Sequence, residues 1–161
     1  MEYFSAGNLM IPEFPSDAAS VFANLVGTWE FRRTIAGVGS VRGHASFVPV
    51  DSTTMQYRED GFLCLRSGFT GEVSKEYFYR LNDDQIQITF AGASPDNATF
   101  VILDPRHDSS GVWAEDTHYC GSDEYRCTYR FESSMRFTVH IEVEGKNKRY
   151  SMATKYDKAD Q

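Results

Sequence analysis

The chain has 161 residues, 24% of them charged and 41% hydrophobic, the proportions of a globular domain large enough to bury a core. Its 23 acidic against 16 basic residues leave a net charge of −7. That balance argues against a general binder of nucleic acid or anionic membrane, whose phosphates demand clustered Lys and Arg, but leaves room for a local basic pocket.

Residues 1–15 place Pro12 and Pro15 among apolar residues and read as an extended leader. Ser16 is suited to cap a helix, with Asp17 in its first turn. Val21, Phe22 and Leu25 then share one helical face, and Gly27 ends the segment. From there the chain alternates apolar and polar residues and turns often. Trp29, Phe31, Arg33 and Ile35 share one face of a first strand, and Gly37 to Ser40 form a turn. A second strand runs from Val41 to Val50. Met55, Tyr57 and Glu59 share a face of a third, which Glu59-Asp60-Gly61 is expected to close as a hairpin. Phe62 to Phe69 follows, then Val73 to Leu81 with Lys75, Tyr77 and Tyr79 in phase.

Asn82-Asp83-Asp84 turns the chain into Gln85 to Phe90. A loop at 92–97 leads to a strand from Ala98 to Leu103, and Arg106 to Gly111 is read as another turn. Val112 to Cys120 and Glu124 to Phe131 flank a tight turn at Gly121-Ser122. Met135 to Val143 and Arg149 to Tyr156 complete the set. About ten short strands without strand–helix alternation predict an all-β fold with no parallel sheet. The expected architecture is a single antiparallel up-and-down β-barrel with a short N-terminal helix. Its boundaries are a leader at 1–15, the barrel at 16–156 and a polar tail at 157–161.

No window holds the roughly 18 apolar residues of a membrane-crossing helix. Met1 to Ser5 lack the basic start of a secretory signal, so a cytoplasmic location without membrane insertion is expected. Cys64, Cys120 and Cys127 form no C-x-x-C pair and are expected as free thiols, although Cys120 and Cys127 lie on adjacent strands within conceivable reach of a disulfide.

Side chains alternate across a strand with period two. Arg33 therefore falls in phase with Trp29 and Phe31, Glu59 with Tyr57, and Lys75 with Tyr77 and Tyr79. His118 and Cys120 share a face, and so do Tyr125, Cys127, Tyr129 and Phe131. Polar groups on the core phase are costly unless paired, unless they line a wet lumen, or unless their strands are flipped or end in solvent. An Arg33–Glu59 ion pair would be a purely structural solution. His118 is open to three roles, namely haem ligation, hydrogen bonding to a ligand, or acid–base work, set against a plain bond to a tyrosine or Asp123. His118, Cys120 and Asp123 match no closed zinc pattern and lack a fourth ligand, so no metal is predicted.

The start Leu25-x-Gly27-x-Trp29-x-Phe31-x-Arg33 resembles that of an uncharacterised lipocalin-like family of the calycin superfamily, a family of unknown function. The resemblance continues at Tyr57-x-Glu59-x-Gly61, Tyr77-x-Tyr79 and His118-x-Cys120-Gly121-x-Asp123-x-Tyr125. It closes at Gly145-x-x-Lys148-x-Tyr150-x-Met152-x-Thr154-x-Tyr156. Tyr79 and Phe137 stand where the family pattern has tryptophan. The resemblance implies a barrel whose tryptophan plugs one end and whose interior can take one small ligand.

The leading expectation is non-catalytic binding of a small, partly polar or anionic organic molecule in the barrel interior. Arg33, Tyr57, Glu59, Tyr77, Tyr79, His118, Cys120, Asp123, Tyr125, Tyr129 and Tyr150 are the candidate contacts, with no cofactor and no nucleic-acid partner. The alternatives are an isomerase, cyclase or hydrolase with Glu59 or His118 as base and Arg33 as electrostatic stabiliser, haem binding through His118, and an interaction module using the outer face.

Overall fold

A computed structural model describes residues 17–92 and 98–159. The expected leader at 1–15, Ser16 and most of the 92–97 loop lie outside the described residues. Helix α1 (Ala18–Leu25) is capped by Asp17, whose carboxylate accepts from Ser20 N at 2.7 Å. The cap expected at Ser16 is thus filled one residue later. The helix ends at Leu25 with Val26 as its C-cap, and Gly27, at φ +128°, opens the first strand.

Eleven strands follow. They are β1 (Gly27–Ile35), β2 (Gly39–Asp51), β3 (Thr54–Leu65), β4 (Thr70–Asn82), β5 (Gln85–Phe90), β6 (Thr99–Leu103), β7 (Arg106–Asp108), β8 (Gly111–Cys120), β9 (Asp123–Ser133), β10 (Arg136–Glu144) and β11 (Arg149–Lys158). They form one antiparallel sheet in the order β6-β5-β4-β3-β2-β1-β11-β10-β9-β8-β7. The all-β antiparallel barrel expected from the alternation is present, in open form. Its two ends approach each other at β6 and β8, where Ile102 N donates to Asp116 Oδ2 at 2.8 Å and the Phe100 and His118 rings lie 5.3 Å apart. Side chains rather than a ladder close this seam.

Two expected turns are strands. Arg106 to Asp108 pairs with β8 as the short strand β7. The supposed hairpin at Asp60-Gly61 lies in the middle of β3, which runs unbroken past it. Gly61 pairs with Gly43 of β2. A Cβ on Gly61 would stand 2.8 Å from Val41 Cγ1 and 3.1 Å from Phe31 Cζ, and one on Gly43 would collide with the Asp60 carbonyl. These glycines serve close approach within the sheet, which is the other physical reason for glycine in a strand. At its far end β11 extends through Asp157 and Lys158, two residues past the expected strand end at Tyr156.

The helix plugs one end of the barrel. Val21, Phe22 and Leu25 are buried with Trp29, whose indole Nε1 donates to Leu25 O at 2.9 Å. Trp29 meets Phe137 edge-on at 4.9 Å, and Phe137 stacks on Tyr156 at 4.2 Å. Phe47 packs on Tyr57 and Tyr79 at 4.9 and 5.0 Å. Inward-facing residues near the helix are therefore fully buried. Towards the opposite end, Ile35, Leu63, Val73, Tyr125 and Tyr150 are only half-buried. The barrel is packed tightly at its floor and more loosely covered towards its mouth.

Gly61→Ala is expected to lower stability by about 1–3 kcal/mol through overpacking against Val41 and Phe31. Gly43→Ala is expected to cost more, because a backbone carbonyl cannot retreat without breaking its ladder. Thermal denaturation of the two variants, ranked against the parent, checks this order.

Candidate functional site

Alternation along β1, β3 and β11 carries Arg33, Tyr57, Glu59, Thr154 and Tyr156 into the lumen at one level. Arg33 clasps Glu59 with both ends of its fork, Nη1 to Oε2 at 2.7 Å and Nη2 to Oε1 at 3.0 Å. Arg33 Nε donates to Thr154 Oγ1 at 2.8 Å and Nη2 to Tyr156 OH at 3.3 Å. Tyr57 OH donates to Glu59 Oε1 at 2.5 Å and lies 3.0 Å from Tyr156 OH. The guanidinium also sits 5.0 Å from the Phe31 ring centre. Arg33 and Glu59 side chains are 11% and 3% exposed, so this is a buried, fully partnered ion pair.

Burial alone pushes the Glu59 carboxyl upward, but the hydrogen bonds and charge of Arg33, helped by Tyr57 and Lys75, hold it below the ordinary carboxylate range. Desolvation works against the Arg33 cation, yet Tyr156, Glu59 and Tyr57 more than offset it, and its pKa is raised. Burial drives the Tyr57, Tyr79, Tyr129 and Tyr156 hydroxyls above the usual phenol value. All four stay neutral donors, and Tyr79 bonds Tyr129.

Directly above lies a cavity of about 30 Å³ bordered by Arg33, Glu59, Lys75, Tyr77, Phe100 and Met152, among others. That volume suits about one or two water molecules, against the roughly 300–1,000 Å³ of pockets that enclose drug-sized ligands. Lys75, opposite Glu59 in the β3–β4 register, reaches this cavity from the open side. Its flank is exposed, but the surrounding protein desolvates the ammonium, and with the nearby Arg33 charge this lowers its pKa despite the pull of Glu59. It has no ion-pair or hydrogen-bond partner among the described residues.

The remaining candidates sit nearer the mouth. His118 faces Tyr125 across the β8–β9 ladder and packs among the rings of Phe90, Phe100 and Tyr125 at 5.3 to 5.9 Å. It makes no hydrogen bond among the described residues, so neither the expected tyrosine nor Asp123 holds it. Asp123 instead pairs with Lys148 at 3.0 Å, and Lys148 also reaches Tyr125 OH at 3.5 Å. Tyr77 stacks on Phe100 at 5.6 Å and forms one wall with Phe90. Tyr150 is half-buried near the rim. Cys120 is exposed at the end of β8 and Cys127 is buried, each opposite an aspartate in the register rather than opposite the other. All three thiols are free, and burial pushes that of Cys127 up to about 12, with Asp116 adding to the shift.

The structure thus brings Arg33, Tyr57, Glu59, Tyr79 and Tyr129 together around the deep lumen and sets Tyr77, His118, Tyr125, Asp123, Cys120 and Tyr150 above them. Thr154 and Tyr156 belong to the central network but were not among the candidate contacts, although both are in phase with Tyr150. Lys75 was visible in phase with Tyr77. No group of three or more His, Cys, Asp or Glu side chains suited to a metal occurs among the described residues. No helix there is long and apolar enough to cross a membrane.

With that geometry in place, the chain can be set beside other proteins. A family model described as a family of unknown function (DUF6314) matches residues 25–158. The chain belongs to this family. No curated protein matches the sequence. Among solved structures, the S-type phycobiliprotein lyase CPES from Guillardia theta is similar over 90% of this chain and 94% of its own, with 9% identity and a TM-score of 0.63. The barrel EF1p2_mFAP2b bound to DFHBI covers 86% of this chain and 96% of its own at 13% identity and a TM-score of 0.49. A de novo designed fluorescence-activating β-barrel covers 89% of this chain and 98% of its own at 15% identity and a TM-score of 0.48. The likeness to the lyase supports the barrel fold of this DUF6314 member.

Glu59→Gln leaves the Arg33 cation buried without its counter-charge and is expected to cost about 3–5 kcal/mol in chemical denaturation. The Glu59 pKa is lower in the folded than in the unfolded chain. Its contribution is therefore full above the unfolded value of about 4.3 and lost as pH falls through the folded one. The buried tyrosines have raised values, so theirs is full below about 10 and lost as pH climbs beyond it. Stability measured against pH should fall at both ends, and the acid limb should flatten in Glu59→Gln.

Proposed function

We propose that this DUF6314 member binds a small organic anion with a flat apolar part in the open upper half of its barrel, without catalysis. One contrast carries the reading. Arg33, Glu59, Tyr57, Thr154 and Tyr156 satisfy one another in the deep lumen, whereas Lys75 and His118, which face the open half, have no polar partner among the described residues. Arg33, one of the ligand contacts expected from the sequence, already holds Glu59 and is reassigned to the floor of the site. Lys75 supplies the charge for a carboxylate or sulfonate, His118 a further hydrogen bond, and Tyr77, Phe90, Phe100 and Tyr125 the aromatic wall.

Catalysis by Glu59 has less support. A general base works best with a pKa near the operating pH, and Glu59 is held low with its oxygens occupied by Arg33 and Tyr57. Haem binding through His118 would need the ring cluster of Phe90, Phe100 and Tyr125 to part. Added haemin, read by the Soret band, is expected to leave no spectral change in the purified protein.

The direct test is native mass spectrometry for a retained small molecule, followed by titration with anilinonaphthalene sulfonate, an aromatic anion. Lys75→Met is expected to weaken the probe by about tenfold or more, the worth of one charge-assisted hydrogen bond. Lys146→Met, at an exposed turn, should leave it unchanged. Equal binding by the parent and Lys75→Met, with nothing retained, would overturn the proposal.

A further inference from the structure

The outer face of the sheet carries a second arrangement, independent of the lumen. One cross-strand row runs Phe62, Arg42, Arg32, Lys155, Thr138 and Arg130 through successive register pairs on β3, β2, β1, β11, β10 and β9. Arg32 thus stands between Arg42 on one side and Lys155 on the other, all three exposed. Like charges directly opposite one another destabilise a sheet. Several other cations on this surface are paired: Arg58 with Asp60 and Glu76, Arg126 with Glu142, and Arg136 with Asp157. Arg32, Arg42 and Lys155 have no ion-pair partner among the described residues. Further along the row, Arg130 and Arg106 stack on Trp113 at 6.0 and 5.2 Å.

The three free cations border a shallow concavity of about 970 Å³ on the outside of β2, β1, β11 and β10. Four Lys or Arg side chains line it against two carboxylates, Glu30 and Asp157, in a chain whose net charge is −7. Asp157 is held by Arg136, and Glu30 lies one row nearer the helix. His44 and His140 add ring N–H donors at the concavity, and Phe62, 45% exposed, stands at its rim.

We propose that this concavity is a binding site for a small molecule carrying adjacent phosphate groups, with Arg32 at its centre and Arg42 and Lys155 on either side. Neighbouring strands are about 4.8 Å apart, so the three charges fall within about 10 Å. That is the scale of a di- or triphosphate, and guanidinium forks take phosphate oxygens in pairs. The bound anion removes the repulsion that the register imposes. Phe62 offers a ring on which a base attached to the phosphates can stack. A long nucleic-acid strand fits less well. Beyond Phe62 the row meets Glu72, and Asp60 and Glu76 lie close by on the same two strands.

The test is calorimetric titration of the full chain with inorganic pyrophosphate and with ATP at about 20 mM salt, where surface charges act over some 20 Å. One-to-one binding that weakens with added salt is expected. Arg32→Gln and Arg42→Gln should each weaken it by about tenfold or more, and Arg32→Lys less, since it keeps the charge and loses the fork. The glutamine variants should melt no lower than the parent, because they relieve like-charge opposition, so lost binding cannot be put down to misfolding. No heat with either anion at millimolar concentration overturns the proposal, as does equal binding by the Arg32→Gln/Arg42→Gln double variant. Tighter binding of an oligothymidylate than of ATP, lost in the same variants, replaces the small molecule with nucleic acid.

Discussion

The buried pair of Arg33 and Glu59 is the constraint around which the barrel is arranged. Two opposite charges in a dry interior are tolerable only when geometry and extra hydrogen bonds offset their desolvation. Here the fork–carboxylate clasp is completed by Thr154, Tyr57 and Tyr156, so three strands that are distant in sequence must meet at one level. The same pair divides the lumen. Below it, aromatic rings and the helix fill the space. Above it, aromatic side chains pack on one another while Lys75 and His118 have no polar partner among the described residues.

The strand alternation was legible because each strand is half-buried, and a half-buried strand writes its inner face into every second residue. Arg33, Glu59, Tyr57 and Tyr129 were placed inward on that basis alone. The ion pair itself was foreseeable as a structural option, but not as the feature that occupies Arg33. That depends on the register by which β1 and β3 flank β2, which lets Arg33 reach Glu59 over the strand between them. Gly61 was misread for a related reason. Asp60-Gly61 has the composition of a tight turn, and only the side chains of Phe31 and Val41 reveal that the glycine makes room. The strand β7 is three residues long, too short for any alternation to show.

Pairing register is the level of organisation least visible in the sequence. The inner wall needs only the phase of each strand, which is local. The outer row of Arg42, Arg32 and Lys155 needs two ladders in fixed register, one of them joining strands more than a hundred residues apart. A net charge of −7 said nothing of where the remaining cations gather. The two faces of one sheet therefore differ in kind: the inner one holds a closed Arg33–Glu59 pair with a single lysine beside it, and the outer one leaves a cluster of cations unmet.

The strand order holds one more consequence. The first and last strands, β1 and β11, lie side by side at the centre of the sheet, and its free edges belong to the middle of the chain at β6 and β7. On a ribosome, the two halves β1 to β6 and β7 to β11 can each zip up as a meander, but their junction waits for the final strand to emerge. Folding must then end with a closure between segments far apart in sequence, the kind of contact that slows β-proteins. A circular permutant cut between β6 and β7, with a linker from the end of β11 back to the start of α1, would turn the whole wall into one uninterrupted meander; Ala159 N already bonds Thr28 O at 2.9 Å beside that junction.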